Sequence, residues 1–311
     1  MDSYNVIGVM SGTSLDGLDI AFCSISIDSD KQWDFKINGA TTTCYSKELE
    51  DKLNKSTTFS GLDLMLLDNE LGDFIGNEIN SFLIKEKIDR SQIDAISSHG
   101  HTIFHQPEKQ LTVQIGNGAN IAAITKLKVV CDYRTTDISL GGQGAPLVPI
   151  GDQLLFSNYD YCVNLGGIAN ISSQKNNTTI AYDICPVNIV MNKLALELGS
   201  PFDKSGEFAQ TGNIDTDLLK QLNNLKYYES SPPKSLGIEK INKTVFPIIN
   251  SSIISTENKL ATFVEHIAIQ IANNITTSNN KILFTGGGTF NSFLMERIKA
   301  NSNNQIIIPS Y

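Results

Sequence analysis

Residues 5–28, "NVIGVMSGTSLDGLDIAFCSISID", set a stretch of Gly, Ser, Thr and Asp between two apolar runs. The first run, Val6 to Met10, stops where the small residues begin, and the second, "IAFCSISI" at 20–27, alternates apolar and polar side chains. Alternation of period two belongs to a strand with one face buried. Two such strands joined by a polar turn make a hairpin. The arrangement returns at 161–174, where "YCVNLGGIANISSQ" is again apolar strand, glycine pair, apolar strand. The residues do not repeat but the order of elements does, which predicts two related lobes, each opening on a hairpin.

The chain is long enough for that: 311 residues, 41% hydrophobic and 18% charged, can bury two cores. The Gly- and Pro-rich stretch "ISLGGQGAPLVPIGDQLLF" at 138–156 reads as the connection, and the expected lobes are 1–134 and 135–311. Between the hairpins, "FKINGATTTCY" at 35–45 reads as a strand. Residues 63–84, "DLMLLDNELGDFIGNEINSFLI", repeat apolar positions at three and four and predict a helix. "IDAISSHGHTIFHQ" reads as strand then loop, "GNGANIAAIT" as a helix start and "KVVCDY" as a strand. Further helices are predicted at 186–199 and 261–275, whereas 222–260, rich in Asn, Ser and Pro, reads mostly as loops and short helices. "KILFTGGGTFNSFLMERIKA" at 281–300 is strand, triple glycine, amphipathic helix.

The net charge of −9 argues against a nucleic-acid or anionic-membrane surface. Phosphate remains open, because backbone N–H groups bind it without Lys or Arg. The five cysteines are scattered, with no C-x-x-C pair, which points to a reducing cytoplasm rather than a disulfide framework or zinc site. The N-terminus has no basic, apolar leader, and no apolar run is long enough to span a membrane.

Three glycine-rich turns follow apolar strands: Ser11 to Asp19, Leu165 to Ala169 and Thr285 to Thr289. Glycine lets a ligand approach the backbone, and successive N–H groups in such turns form anion nests. Ser11, Thr13 and Ser14 add hydroxyls, and Asp16 and Asp19 offer the oxygens that Mg²⁺ prefers. Each turn alone reads equally as a tight turn; three together point to a nucleotide. Neither G-x-x-x-x-G-K-[ST] nor G-x-G-x-x-G is present. Turns lying between two strands are instead similar to those of the actin, hexokinase and Hsp70 superfamily, in which a hairpin from each lobe holds the nucleotide in the cleft.

"GVMSGTSLDGLD" at 8–19 closely resembles the signature of anhydro-N-acetylmuramic acid kinases. So do "SSHGHTIFH" at 97–105, "QIGNGANIA" at 114–122, "GGQGAPLVP" at 141–149, "VNLGGIANIS" at 163–172, "PPKSLGIE" at 232–239 and "TGGGTFNSFLM" at 285–295. The resemblance runs in order from residue 6 to about 308. It implies a two-lobed actin-like (ribonuclease H-like) α/β fold, each lobe a mixed sheet flanked by helices. It also implies an ATP- and Mg²⁺-dependent enzyme that opens the 1,6-anhydro bridge of its sugar with water and phosphorylates O6. The product is N-acetylmuramic acid 6-phosphate, in cytoplasmic recycling of cell-wall fragments.

On that reading Ser11, Gly12, Thr13, Ser14, Asp16, Gly17 and Asp19 bind the nucleotide from the first lobe, with Asp16 and Asp19 on the metal. Asn164, Gly166, Gly167, Gly286, Gly287, Gly288 and Asn291 bind it from the second. The reaction needs a carboxylate to take a proton from water, and the candidate is Asp183 in "AYDICPVN", expected between a strand and a helix. A helix N-cap is the plainer role for such an Asp. The family pattern there is Asp-Thr-Gly-Pro-Gly-Asn; this chain has Ile184, Cys185 and Val187. Either the backbone needs no positive φ at those positions, or the site geometry has shifted.

Arg134 would hold the substrate's lactyl carboxylate in two-pronged fashion, or else pair with Asp132 or Asp137 as a surface ion pair. His99, Thr102, Asn117 and Asn188 are the remaining sugar-site positions that the resemblance implies. The family continues past "PSY" into an acidic helix that supplies a further substrate-binding Glu. A homodimer is left open. The competing readings are a non-catalytic sugar or ATP sensor of the same fold, and a kinase for another small sugar or carboxylic acid.

Overall fold

The structure, a computed structural model, describes all residues except 1, 13, 14, 16, 176, 177, 233, 276, 310 and 311. The chain forms two compact units, Met1–Leu147 and Val148–Tyr311. The division comes later than the expected break after residue 134. One cause is local: Arg134 Nη1 donates to the Gly144 carbonyl at 2.6 Å and Asp137 Oδ2 accepts from Gly144 N at 2.6 Å, which fastens the glycine-rich segment to the first unit.

The first unit contains β1 (Asp2–Ser11), β2 (Leu18–Ile27), β3 (Trp33–Thr43), α1 (Lys47–Lys55), α2 (Gly61–Lys85), β4 (Ala95–Gln106), β5 (Leu111–Ile115), α3 (Gly118–Thr125), β6 (Val129–Val130) and α4 (Tyr133–Ser139). Strands β1, β2 and β3 form an antiparallel meander. β4 then pairs parallel to β1, and β6 parallel to the start of β4. The predicted hairpin is present, with Ser11 opposite Leu18. Alternate residues of these strands, Ile7, Val9, Leu18, Ile20 and Ile96, face the core. α2 meets them with Leu67, Leu71, Ile75 and Ile79, the three- and four-residue spacing that predicted it. Ser60 caps α2, accepting from Asp63 N and donating to the Asp63 carboxylate.

One expectation is corrected here. The stretch read as a loop after the β4 strand is strand throughout, because Gly100, at φ +70°, turns the ladder without ending it. Beyond that kink β4 pairs antiparallel with β5, an added hairpin on the side where β6 pairs lower down.

The second unit contains α5 (Pro149–Leu155), β7 (Tyr161–Leu165), β8 (Ile168–Lys175), β9 (Thr178–Pro186), α6 (Asn188–Glu197), α7 (Glu207–Thr211), α8 (Thr216–Asn223), α9 (Ile238–Ser251), α10 (Thr256–Asn274), β10 (Lys281–Thr285), α11 (Ser292–Ala300) and β11 (Gln305–Ile307). Its meander is β7, β8, β9, with β10 parallel to β7 and β11 parallel to β10. The topology of the first unit is therefore repeated. α9, 14 residues long, corrects the reading of 222–260 as mostly loops and short helices. Its Ile241, Val245, Phe246 and Ile249 recur at helical spacing and are buried, which outweighs the Pro inside it. The core gathers around Val163, Leu165, Ile184, Phe263 and Phe284. Each unit is thus a mixed sheet flanked by helices, the α/β architecture that the resemblance implied.

Candidate active site

In the first unit the small-residue turn leaves β1 at Ser11 and re-enters β2 at Leu18. Thr13, Ser14 and Asp16 lie outside the described residues. Leu15 N donates to Gly12 O across the turn. Gly17, at φ +149°, lies so close to β3 that a Cβ there would stand 2.7 Å from Thr42 Cγ2 and 2.9 Å from Thr43 O, so the turn closes only on glycine. Ser11 is buried, at 1% exposure. Its hydroxyl accepts from the Tyr45 hydroxyl at 2.7 Å and lies 2.9 Å from His101 Nδ1. Tyr45 also reaches the Gly17 carbonyl at 3.1 Å, so one phenol fastens both ends of the turn. Burial pushes the pKa of His101 down to about 4, which keeps the ring neutral. Asp19 is exposed and accepts from Thr42 Oγ1 at 2.6 Å.

On the sheet face away from α2, Gly8, Met10, Asp19, Ala21, Ala40 and Thr42 line a hollow of about 700 Å³ with Ser97, His99 and Tyr133. Small residues at alternate positions leave this space. His99 Nδ1 donates to the Gly100 carbonyl at 2.9 Å, which makes Nε2 the acceptor. Arg134 donates to that nitrogen from both Nε, at 3.0 Å, and Nη2, at 2.8 Å. Burial, and to a lesser degree the Arg134 charge, lower the pKa of His99. The ion-pair reading of Arg134 is corrected: Asp137 accepts from Gly144 N and Asp132 from Thr135 Oγ1, and neither pairs with the guanidinium. Thr102 is half-buried and receives Gln114 Nε2 at 3.4 Å. Asn117 caps α3, its Oδ1 accepting from Ala119 N, while Nδ2 reaches Asp68 and Asn69.

In the second unit two glycine turns meet. A Cβ on Gly286 would lie 2.9 Å from Leu165 O, and one on Gly288 would lie 2.7 Å from Leu165 Cβ. The triple-glycine turn therefore rests on the end of β7, where Asn164 and the Gly166–Gly167 turn stand. Asn188 joins them: its Nδ2 donates to Leu165 O at 3.1 Å and its N to Gly166 O at 3.3 Å. Gly287 lies beside the same Asn188 side chain. Asn291 caps α11 by accepting from Leu294 N at 2.9 Å and is buried.

Asp183 lies within β9, not beyond its end, and does not cap α6: the N-cap position there is Val187, which makes no side-chain cap. Its Oδ2 accepts from Leu236 N at 2.8 Å, its N donates to Lys234 O at 3.1 Å, and its carbonyl accepts from the Tyr227 hydroxyl at 2.6 Å. Lys234 and Leu236 thus lie beside β9, and the Leu236 N–H orients the carboxylate. Burial raises the pKa of Asp183, and the Leu236 N–H opposes this in part. Ile184, Cys185 and Val187 are fully buried in the core, and positive φ occurs at none of them. Negative φ, the first of the two readings, describes Cys185 and Val187, although Val187 at φ −129° and ψ −98° stands outside the helical and extended regions.

Tyr45, Tyr227, Lys234 and Leu236 are the supporting residues that the sequence reading did not single out. The only signal was the motif around Lys234 and Leu236, which carries no chemistry until β9 lies beside it.

A model of the anhydro-N-acetylmuramic acid kinase family matches residues 4–309. The chain belongs to the anhydro-N-acetylmuramic acid kinase family. Among relatives of that name, the protein of Sulfurovum sp. is 34% identical over 313 residues, covering 96% of this chain and 85% of its own length. That of Saccharophagus degradans is 35% identical over 311 residues, covering 94% and 82%. The family match spans both units, so the hairpin, the β4 histidines, Arg134 and Asp183 all fall inside the anhydro-N-acetylmuramic acid kinase region.

Proposed function

We propose that this chain is a kinase that hydrolyses 1,6-anhydro-N-acetylmuramic acid and phosphorylates it, forming N-acetylmuramic acid 6-phosphate and ADP in cytoplasmic cell-wall recycling. ATP is the phosphoryl donor. Asp183 takes a proton from water as the water oxygen bonds to the anomeric carbon. The C1–O6 bond breaks, and O6 then attacks the γ-phosphorus as ADP leaves. The observation that carries this reading is the Asp183 carboxylate, half-buried, oriented by one backbone N–H and raised in pKa, within the family's chain.

The first unit contributes the Ser11–Gly17 turn for phosphate. His99, Thr102, Asn117 and Arg134 are its sugar contacts, with Arg134 toward the lactyl carboxylate. The second unit contributes Asn164 and Asn188 beside Gly166, Gly167, Gly286, Gly287 and Gly288, with Asn291 setting the helix that follows. Asp19, an exposed carboxylate at the exit of the turn, suits a hard cation such as Mg²⁺ in donor type; Mg²⁺ there would neutralise phosphate charge.

The test is sugar-dependent ADP release. Asp183→Asn should lower turnover by about 10²–10⁴-fold while ATP binding, followed by calorimetry, persists. Retained turnover would remove Asp183 from the reaction.

A further inference from the structure

β9 is an edge strand of the sheet in the second unit, so one side of its backbone takes its partners from outside the sheet. At Asp183 both main-chain groups have such partners: N donates to Lys234 O at 3.1 Å, and the carbonyl accepts from Tyr227 Oη at 2.6 Å. The register with β8 skips the next residue, Ile184, and an irregularity of that kind re-aims the side chains around it. Leu236 N donates at 2.8 Å to the Asp183 side chain, at Oδ2, and not to its carbonyl.

In a parallel ladder the two bonds to one residue come from either side of the residue facing it, a carbonyl from the one before and an N–H from the one after. Lys234 and Leu236 flank Ser235 in that way. The Lys234 half of the ladder is made and the Leu236 half is not. The Tyr227 hydroxyl satisfies the carbonyl that Leu236 N would otherwise meet, which leaves that N–H for the carboxylate. Tyr227 is itself firmly placed. It is buried, meets Tyr228 edge-on at 5.6 Å between ring centres, and has the Lys240 and Lys234 ammonium groups 4.6 and 4.8 Å from its ring centre. Burial raises its pKa, so the phenol stays a donor. Tyr182 and Cys185, on β9, are further ionisable groups beside it, and burial keeps them protonated too. We infer that Tyr227 is a positioning residue for the base: by satisfying the Asp183 carbonyl it diverts the Leu236 N–H from the strand ladder onto the carboxylate. This rests on the reading of Asp183 as the base and adds what sets its orientation.

The experiment compares wild type with Tyr227→Phe, which keeps the ring and its lysine contacts. Without the hydroxyl, the Asp183 carbonyl lacks its donor and Leu236 N–H returns to it. The carboxylate then loses a bond that favours its ionised form. Asp183 is titrated by carbon-13 NMR of the aspartate carboxyl groups, its signal being the one that Asp183→Asn removes. Sugar-dependent ADP release is followed across pH alongside. In Tyr227→Phe the Asp183 titration, and the acid limb of kcat/KM with it, should move about 0.5–1 higher in pH, the worth of one hydrogen bond. kcat should fall about three- to tenfold with KM for ATP unchanged. An Asp183 titration that stays in place, or moves lower, overturns the inference whatever happens to the rate. A titration that moves higher in a protein without sugar-dependent ADP release upholds the positioning and rejects the kinase reading alone. If Tyr227→Phe does not fold, wild type still decides. The Leu236 amide proton should change its shift as Asp183 titrates, and an amide indifferent to that titration overturns the inference.

Discussion

At the scale of single residues, the role proposed for Asp183 makes its charge state the source of the pH dependence. Its pKa is raised, chiefly by burial, so the proton is held to higher pH than on an ordinary Asp. A base works only when ionised, and activity is therefore lost as pH falls through the raised value. The acid limb of kcat/KM should lie above the usual carboxylate range, and an Asp183→Asn variant should show no such limb in its residual rate. A limb at the ordinary position would mean that the carboxylate is better solvated than its surroundings indicate. The type of residue at 183 is evident in the sequence, but its orientation is not. Leu236 and Tyr227 hold it from far along the chain, and no local pattern announces a contact that only tertiary packing creates.

At the scale of elements, periodicity carried most of the reading. α2 and the two hairpins have one buried face each, so their apolar spacing is visible. The second half of β4 was not visible, because its His, Thr and Gln residues break alternation while its backbone still pairs with β5. α9 was hidden by Asn and Pro in a stretch whose buried positions nonetheless keep helical spacing. Two glycines of α2 show how closely elements approach. A Cβ on Gly72 would lie 2.8 Å from the Asn117 carbonyl, and one on Gly76 would lie 3.0 Å from Ile124 Cβ. Gly→Ala gains about 1 kcal/mol of helix propensity, but backbone cannot step aside as a side chain can. Gly72→Ala should therefore cost the first unit about 1–3 kcal/mol, read as an earlier urea transition. Gly76→Ala, which meets only a side chain, should cost less.

At the scale of the whole molecule, the same strand order occurs in both units, and each has its own core. Each also buries one neutral histidine. Tyr228 and Asn223 hold His266, whose pKa is lowered by burial to about 3, and His101 beside Ser11 lies at about 4. The unfolded chain protonates these rings near their ordinary value of 6.5, before the folded one does. Their contribution is complete above that value and is lost as pH falls toward 4 and 3. Denaturation midpoints should decline across that window, and His266→Gln should flatten the decline in the second unit. A profile unchanged by that substitution would assign the acid sensitivity elsewhere.

Arg134 has a consequence of its own. Its donors end on a neutral imidazole and a peptide oxygen, and among the described residues no carboxylate answers it. In a protein of net charge −9 this cation is braced without being discharged. On the role proposed for Arg134, an acidic guest would meet a positive centre already held in place, with no resident anion to evict first.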